Sequence, residues 1–269
     1  MQLVELQKVL PELERQGIGL IGVSYDSPQV LREFATAKGI RIPLLADEGS
    51  RVITELGLLD RDLTAHHAVF GVPTAEHQLG VAYPAVFVLD ESGRVVEKRI
   101  RENYRAREGA LKLVKEALDL NLPAAGPQLT AMASHVTITA VTDSHEYVRW
   151  QETSLHINFD VEAGWHIYGR PIPGGYTPVT VEVEAIPEVK VGPVEYPPTH
   201  PFRVEGLEEQ FHVYEGLVEV QVPVAANVPP GLGSIDLKIT VRYQTCSESE
   251  CLQPAALTLD LRLDEAAPA

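Results

Sequence analysis

The stretch Tyr243-Gln244-Thr245-Cys246-Ser247-Glu248-Ser249-Glu250-Cys251-Leu252-Gln253-Pro254 holds both cysteines of a 269-residue chain. Ile235, Leu237, Ile239, Val241 and Tyr243 precede or open it, and Leu257, Leu259, Leu261 and Leu263 follow it. Apolar residues at every second position mark strands with one buried face. The stretch therefore reads as the end of a hairpin, with the cysteines at the facing ends of two strands and Ser247 to Glu250 as the turn. Directly opposed residues in an antiparallel pair have Cα atoms roughly 4.5–5.5 Å apart, which suits a disulfide. On spacing alone, a structural staple and a redox-active pair are both open.

Upstream, the same grammar runs back to His135. Short alternating runs occur at Val136-Ile138-Ala140, Leu155-Ile157-Phe159-Val161, Val179-Val181-Val183 and Leu217-Val218-Val220-Val222. Turn signals separate them at Ala163-Gly164, Pro173-Gly174-Gly175, Pro197-Pro198 and Pro229-Pro230-Gly231. Several short strands with no helical segment predict an all-β sandwich over residues 135–265. Residues 121–134 (NLPAAGPQLTAMAS) have no period and read as an interdomain linker.

Three motifs in this half, VEAGWHIYG, EEQFHVYEGLVEVQVPV and VRYQTCSESECLQP, resemble in that order the amino-terminal domain of the DsbD-type thiol:disulfide interchange protein. The resemblance implies an immunoglobulin-like sandwich whose Cys246 and Cys251 exchange electrons with partner proteins in the periplasm. It also implies an aromatic cover over the cysteines, on Trp165 and Tyr168 of a strand and Phe211 and Tyr214 of a cap region. The plainer reading makes these four ordinary sandwich aromatics, most readily for Trp165 and Tyr214. By the same resemblance Cys251 starts the exchange. His166 and His212 flank the aromatics and could assist proton transfer; as a default they are surface histidines. Glu248 and Glu250 disfavour a thiolate electrostatically, which suits an exchange partner better than a strongly activated nucleophile.

The first 120 residues follow a different rule. Leu3, Leu6, Val9, Leu10 and Leu13 have helical spacing, stopped by Gly17. Ile18 to Val23 is a continuous apolar run, the mark of a strand buried on both faces. Asp26 or Ser27 caps a helix with Pro28 in its first turn and Val30, Leu31, Phe34 and Ala35 as its core face, ended by Gly39. A strand at residues 42–46, a short helix at 50–56, a loop, strands at 85–89 and 94–98 about a tight turn, and a helix at about 106–118 complete an α/β layer pattern. His66, His67 and His77 in the loop match no zinc spacing, and no metal is expected.

These residues also carry a resemblance. GIGLIGVSYDSPQVLREFATAKGIRIPLLADEGSRVITELGL, followed by GVAYPAVFVLDESGRV, is similar to the peroxiredoxin branch of the thioredoxin fold. The resemblance places Tyr83-Pro84 where that family has a cis-proline beside its site. It also implies a reactive cysteine at the amino end of the first helix, and a central strand before it. Residues 1–245 contain no cysteine, and that strand is missing. The expectation is an incomplete thioredoxin-like domain that begins at an internal methionine of a longer protein carrying the strand, the cysteine and an export signal. A degenerate scaffold is the alternative. Neither version of residues 1–120 runs thiol peroxidase chemistry.

Composition sets the remaining bounds. A formal charge of −16 argues against nucleic acid or an anionic membrane surface as partner, and no apolar run approaches the ~20 residues of a membrane span. The function that follows is a thiol–disulfide oxidoreductase module working through Cys246 and Cys251, with no cofactor. Its expected partners are thioredoxin-like domains, among them its own redoxin domain in full-length form, brought to a millimolar effective concentration by the linker. An extracytoplasmic location is implied by resemblance. The alternative is a non-catalytic interaction module with a structural disulfide and a degenerate redoxin scaffold.

Overall fold

In the computed structural model, which describes residues 2–69, 73–101, 108–120, 122–203, 209–229 and 231–266, the chain divides after Leu122 into two units. The first opens with α1 (Gln2–Arg15), followed by β1 (Gly22–Ser24). Helix α2 (Pro28–Lys38) is capped at one end by Ser27, whose hydroxyl accepts the Val30 N–H, and at the other by Gly39 at φ +62°. Glycine reaches that left-handed conformation without a Cβ penalty. Strand β2 (Leu44–Ala46) then pairs in parallel with β1. Helix α3 (Arg51–Glu55) is capped by the Asp47 carboxylate, which accepts the Val52 and Ile53 N–H groups. Helix α4 (Leu63–Val69), the antiparallel pair β3 (Ala85–Leu89) and β4 (Val95–Ile100), and helix α5 (Ala110–Leu118) complete the unit. A small core gathers Leu10, Ile40 and Ile42 with Leu3, Leu6, Phe34 and Leu44. This is a thioredoxin-like α/β arrangement, incomplete in its sheet.

Several expectations change here. The run at Ile18 to Val23 forms a strand only from Gly22, and it is not buried on both faces: Ile21 is 66% exposed and Val23 54%. Only one side of the segment is covered: Leu20 packs with Leu3, Leu10 and Leu44, while Ile21 and Val23 face outward, and among the described residues β2 is the ladder neighbour of β1. Val30 points outward, leaving Leu31 as the buried residue of α2. The loop after α3 contains α4 and a short 3₁₀ turn at Glu76–Gln78, both too brief to show a helical period. Tyr83–Pro84 is a trans peptide, the ordinary preference of an X–Pro bond; the cis bond among the described residues is Arg170–Pro171. The last helix begins at Ala110; residues 106 and 107 lie outside the described residues.

The second unit is all β. In chain order its strands are β5 (Gln128–Ala133), β6 (Val136–Thr142), β7 (Glu146–Tyr147), β8 (Glu152–Val161) and β9 (His166–Tyr168). Then come β10 (Thr180–Glu184), β11 (Val189–Val191), β12 (His200–Phe202) and β13 (Phe211–Tyr214). The last four are β14 (Leu217–Ala226), β15 (Ser234–Tyr243), β16 (Thr245–Cys246) and β17 (Ala255–Glu265). One sheet runs β11-β14-β8-β6-β5 and a second β10-β15-β17-β7. Their inward residues form a single core: Leu155, Ile157 and Phe159 of β8 and Val220 and Val222 of β14 meet Leu237, Ile239, Val241 and Leu261. This is an immunoglobulin-like sandwich, and the alternation seen in the sequence is its inside–outside pattern. A third, small sheet, β12-β13-β9-β16, carries the cysteine region.

Strand β5 lies inside the stretch read as linker. It pairs with β6 through a two-residue turn in which Ser134 and His135 both have positive φ, 51° and 63°. A type I′ hairpin needs that geometry, but its usual Asn-Gly or Asp-Gly signal is absent.

Candidate functional site

The site is built where β15 ends. Its ladder with β17 runs to Tyr243, whose hydroxyl donates to the Ala133 carbonyl. The chain then turns at Gln244, and Thr245 and Cys246 join β9 in the small sheet, opposite Ile167 and His166. The Gln244 side chain holds this turn from both sides. It accepts the Thr177 N–H at 3.0 Å and donates to the Leu252 carbonyl at 3.0 Å. Within the hairpin, Ser247 N–H donates to the Glu250 carbonyl, and the Ser247 hydroxyl accepts the N–H groups of Ser249 and Glu250. A serine bonded to its own following backbone is a local turn device, so the loop is braced by contacts besides the disulfide.

Cys246 and Cys251 are joined as a disulfide, with Cα atoms 4.1 Å apart. The two sulfur-bearing residues differ in access: Cys246 is 1% exposed, whereas Cys251 lies on the surface. Beneath them Tyr168, Phe211 and Val213 form one apolar cluster with Cys246, and Ile172, Tyr176 and Phe202 pack against it. Tyr176 stands edge-on to Phe211 with ring centroids 5.0 Å apart, and lies 5.1 Å from the Tyr168 ring. The Tyr168 hydroxyl is 3.6 Å from the Cys251 sulfur. Burial, and secondarily the neighbouring Tyr176, push its pKa up to about 12. It therefore keeps its proton at any physiological pH and can donate a hydrogen bond to a thiolate at Cys251, favouring the charged form.

Period two explains which predicted aromatics gather here. On β9, His166 and Tyr168 share the face toward Cys246; on β13, Phe211 and Val213 do so. Tyr214 belongs to the other face and to the main sandwich core, with its hydroxyl on the Pro197 carbonyl. Trp165 packs at the edge of that same core, its ring stacked on His135 at 4.1 Å. Tyr83 and Pro84 lie in the first unit. So the structure brings Tyr168 and Phe211 to the cysteines and leaves Trp165 and Tyr214 in the sandwich core. Tyr176, Phe202 and Gln244 were not singled out from the sequence. Gln244 is a polar residue at a strand end, and Tyr176 sits in the Pro-Gly-Gly turn region, where no period marks it.

The histidines have distinct settings. His166 is 3% exposed, touches the rings of Tyr168 and Phe202, and has a buried Nε2 with no hydrogen-bond partner. Burial lowers its pKa below the ordinary imidazole value; Glu215 opposes this and His200 adds to it. His212 bonds through Nδ1 to the Thr199 hydroxyl. In the first unit His66 bonds to Asp60 and His67 to Thr74.

A disulfide with one reachable sulfur, set on an aromatic bed in a chain with a redoxin-like first unit, defines a thiol–disulfide redox module. The comparisons with known proteins name its two parts. Residues 137–263 match the family described as thiol:disulfide interchange protein DsbD, N-terminal, and residues 1–98 match the AhpC/TSA family. The chain is thus a peroxiredoxin-like segment, without a cysteine of its own, followed by a DsbD amino-terminal-like domain. Two Mycobacterium tuberculosis proteins named as peroxiredoxins, from strains CDC 1551 and H37Rv, are each 28% identical over 95 residues, 35% of this chain. The match covers 54% of each relative, so the chain spans about half the length of the curated relatives it matches. Among solved structures, the N-terminal periplasmic domain of ScsB from Proteus mirabilis is similar at 16% identity and TM-score 0.38, over 54% of this chain and 55% of that one. The Neisseria meningitidis DsbD n-terminal domain in the reduced form is similar at 16% identity and TM-score 0.29, over 42% and 82%. Among the described residues no helix is long and apolar enough to cross a membrane.

Proposed function

We propose that the chain exchanges electrons with thioredoxin-like partner proteins through Cys246 and Cys251. The observation that carries this reading is the unequal exposure of the two cysteines. A partner thiolate attacks the exposed Cys251 sulfur; the partner–Cys251 bond forms, the Cys246–Cys251 bond breaks, and the electron pair leaves on Cys246. A second partner thiol then attacks the partner's own sulfur in the mixed disulfide and releases Cys251. Two electrons and two protons have moved from the partner's dithiol to this disulfide, and the reverse sequence passes them onward. The partner's thiols come from outside residues 1–245, which hold none. Tyr168 serves Cys251 as hydrogen-bond donor, and Phe211 and Tyr176 shield the buried sulfur. An extracytoplasmic setting fits, because stable disulfides belong to oxidising compartments.

Trapping tests the reading. Replacing Cys246 by Ala leaves the reachable Cys251 without its resolving partner, and should capture a thioredoxin-like domain as a stable mixed disulfide. Replacing Cys251 by Ala leaves only the buried thiol and should capture little. Failure of both variants to capture any such domain returns the disulfide to a structural role.

A further inference from the structure

We propose that His166 is the proton acceptor for Cys246 when the pair is oxidised by exchange; this rests on the exchange reading above. His166 and Cys246 are directly opposed in the antiparallel β9–β16 pair, and both are buried. Directly opposed residues have Cβ atoms roughly 4.5–5.5 Å apart on one face, within reach for an imidazole and a sulfur. Tyr168, two residues on and on the same face, confirms where that face points, since its hydroxyl reaches the Cys251 sulfur. His166 also touches Phe202, which packs on the cluster that includes Cys246.

What distinguishes this residue from a core histidine is the orphaned Nε2. A buried polar atom without a partner is destabilising, and an apolar ring would fill the same space without that penalty. The oxidised pair offers Nε2 no hydrogen. Reduction supplies one, because Cys246 then carries an S–H donor. On this proposal the thiol of the dithiol state supplies the partner that Nε2 lacks, from the residue opposite it in the ladder, with the imidazole proton on Nδ1. The other ionisable groups around the ring are His200 and Glu215, which pair with each other at 3.3 Å, and the Tyr168 phenol. Burial keeps the imidazole neutral near pH 7 and so able to accept.

The step balances as follows. With a partner joined to Cys251, the Cys246 S–H gives its proton to Nε2 of His166. The resulting thiolate attacks the Cys251 sulfur, the Cys246–Cys251 bond forms, and the partner–Cys251 bond breaks with its electron pair on the partner's sulfur. The imidazolium then returns its proton to the departing thiolate or to water. In the opposite direction Cys246 leaves as a thiolate while the imidazole takes a proton from water and passes it to the sulfur.

The test uses the reduced full chain with oxidised glutathione. Resolution of the glutathione–Cys251 mixed disulfide is followed by acid quench and mass spectrometry against pH, for wild type, His166→Gln and His166→Phe. Wild type should hold a nearly level rate above the imidazole titration. The variants should slow about tenfold for each pH unit below the ionisation of Cys246, with the gap closing as pH approaches that point. The wild-type dithiol should also be favoured over the disulfide by roughly 3–10-fold relative to His166→Phe, the worth of one hydrogen bond. Superimposed pH profiles overturn the assignment. If His166→Phe does not fold, His166→Gln decides alone, since an amide keeps polarity but cannot take the proton. A wild-type protein that exchanges with neither glutathione nor a thioredoxin-like domain overturns the exchange reading, and the His166 assignment falls with it. Normal mixed-disulfide formation with unchanged resolution in both variants sinks the His166 assignment alone.

Discussion

Strand β8 of the sandwich has hydrogen-bonded neighbours on both sides, β6 and β14, whereas β1 of the redoxin-like unit has, among the described residues, β2 alone. The consequence shows in side chains of the same kind. Ile157 and Phe159 on β8 are fully buried, while Ile21 and Val23 at β1 are mostly exposed. The pattern extends through the first unit, where Leu45, Leu89, Val95 and Val96 also remain open and the four strands form two separate pairs. An apolar run therefore states that a segment is suited to burial; what packs over its face decides whether burial occurs, since Val181 of β10 and Val189 of β11 are buried on strands with a single ladder neighbour. At roughly 25 cal/mol per Å² of apolar area removed from water, a strand with an uncovered face forgoes much of the stabilisation its sequence is written for.

The largest expected effect lies in the covered half. Phe159→Ala should destabilise the sandwich by about 3–5 kcal/mol, through lost transfer energy and the cavity left behind. Urea unfolding followed by tryptophan fluorescence measures this selectively, because Trp150 and Trp165 are both in the second unit. A loss below 1 kcal/mol would contradict the tight core on which the contrast rests.

Next comes a pH effect confined to the sandwich. His156 bonds to Asp143 at 2.7 Å and Glu219 at 2.9 Å. Burial opposes its charge, but the hydrogen bonds and charges of the two carboxylates outweigh that and raise its pKa to about 9. A raised folded-state value stabilises fully below the unfolded value of about 6.5 and fades as pH rises through about 9. Stability should thus fall by on the order of 2–3 kcal/mol across that window. Urea midpoints measured against pH check it, with His156→Gln giving a much flatter line.

Gln244→Ala should cost about 1–2 kcal/mol by freeing the Thr177 N–H and the Leu252 carbonyl. It should also make the disulfide react faster with a reductant such as dithiothreitol, because the turn is then held from neither side. Unchanged reactivity would make Gln244 a purely structural brace. The smallest effect belongs to the open unit: Val96→Thr should change stability by no more than about 0.5 kcal/mol, since its side chain is already 61% exposed. A larger loss, read from the calorimetric transition, would mean that this face is covered in solution.

What the sequence made legible follows from how local each signal is. The alternation in β6, β8, β14, β15 and β17 was readable because each strand repeats its rule over seven or more residues. Strands β7, β9, β11, β12 and β16 have two or three residues, too few to show a period, so the small sheet that carries the site was hidden. The cysteine hairpin was visible as a hairpin; its departure from the β15–β17 ladder into another sheet was not, since nothing at Gln244 breaks the apolar pattern. Phe211 and Tyr168 could be placed at the cysteines by motif. Trp165 and Tyr214 could not be separated from them without knowing which face each strand presents. His166 carried its signal in the wrong place for a sequence: a histidine announces chemistry only once its burial and its empty hydrogen bond are known.

Gln244 is a crease in the chain. Up to Tyr243 the strand belongs to the β15–β17 ladder and to the main core; two residues later, at Thr245, it belongs to the sheet holding the sulfurs. On the exchange proposed above, opening the bond between Cys246 and Cys251 would move a short flap and leave the ladder behind it paired. The chain keeps its hinge and its scaffold in different sheets, as a latch is hung apart from the wall that carries it.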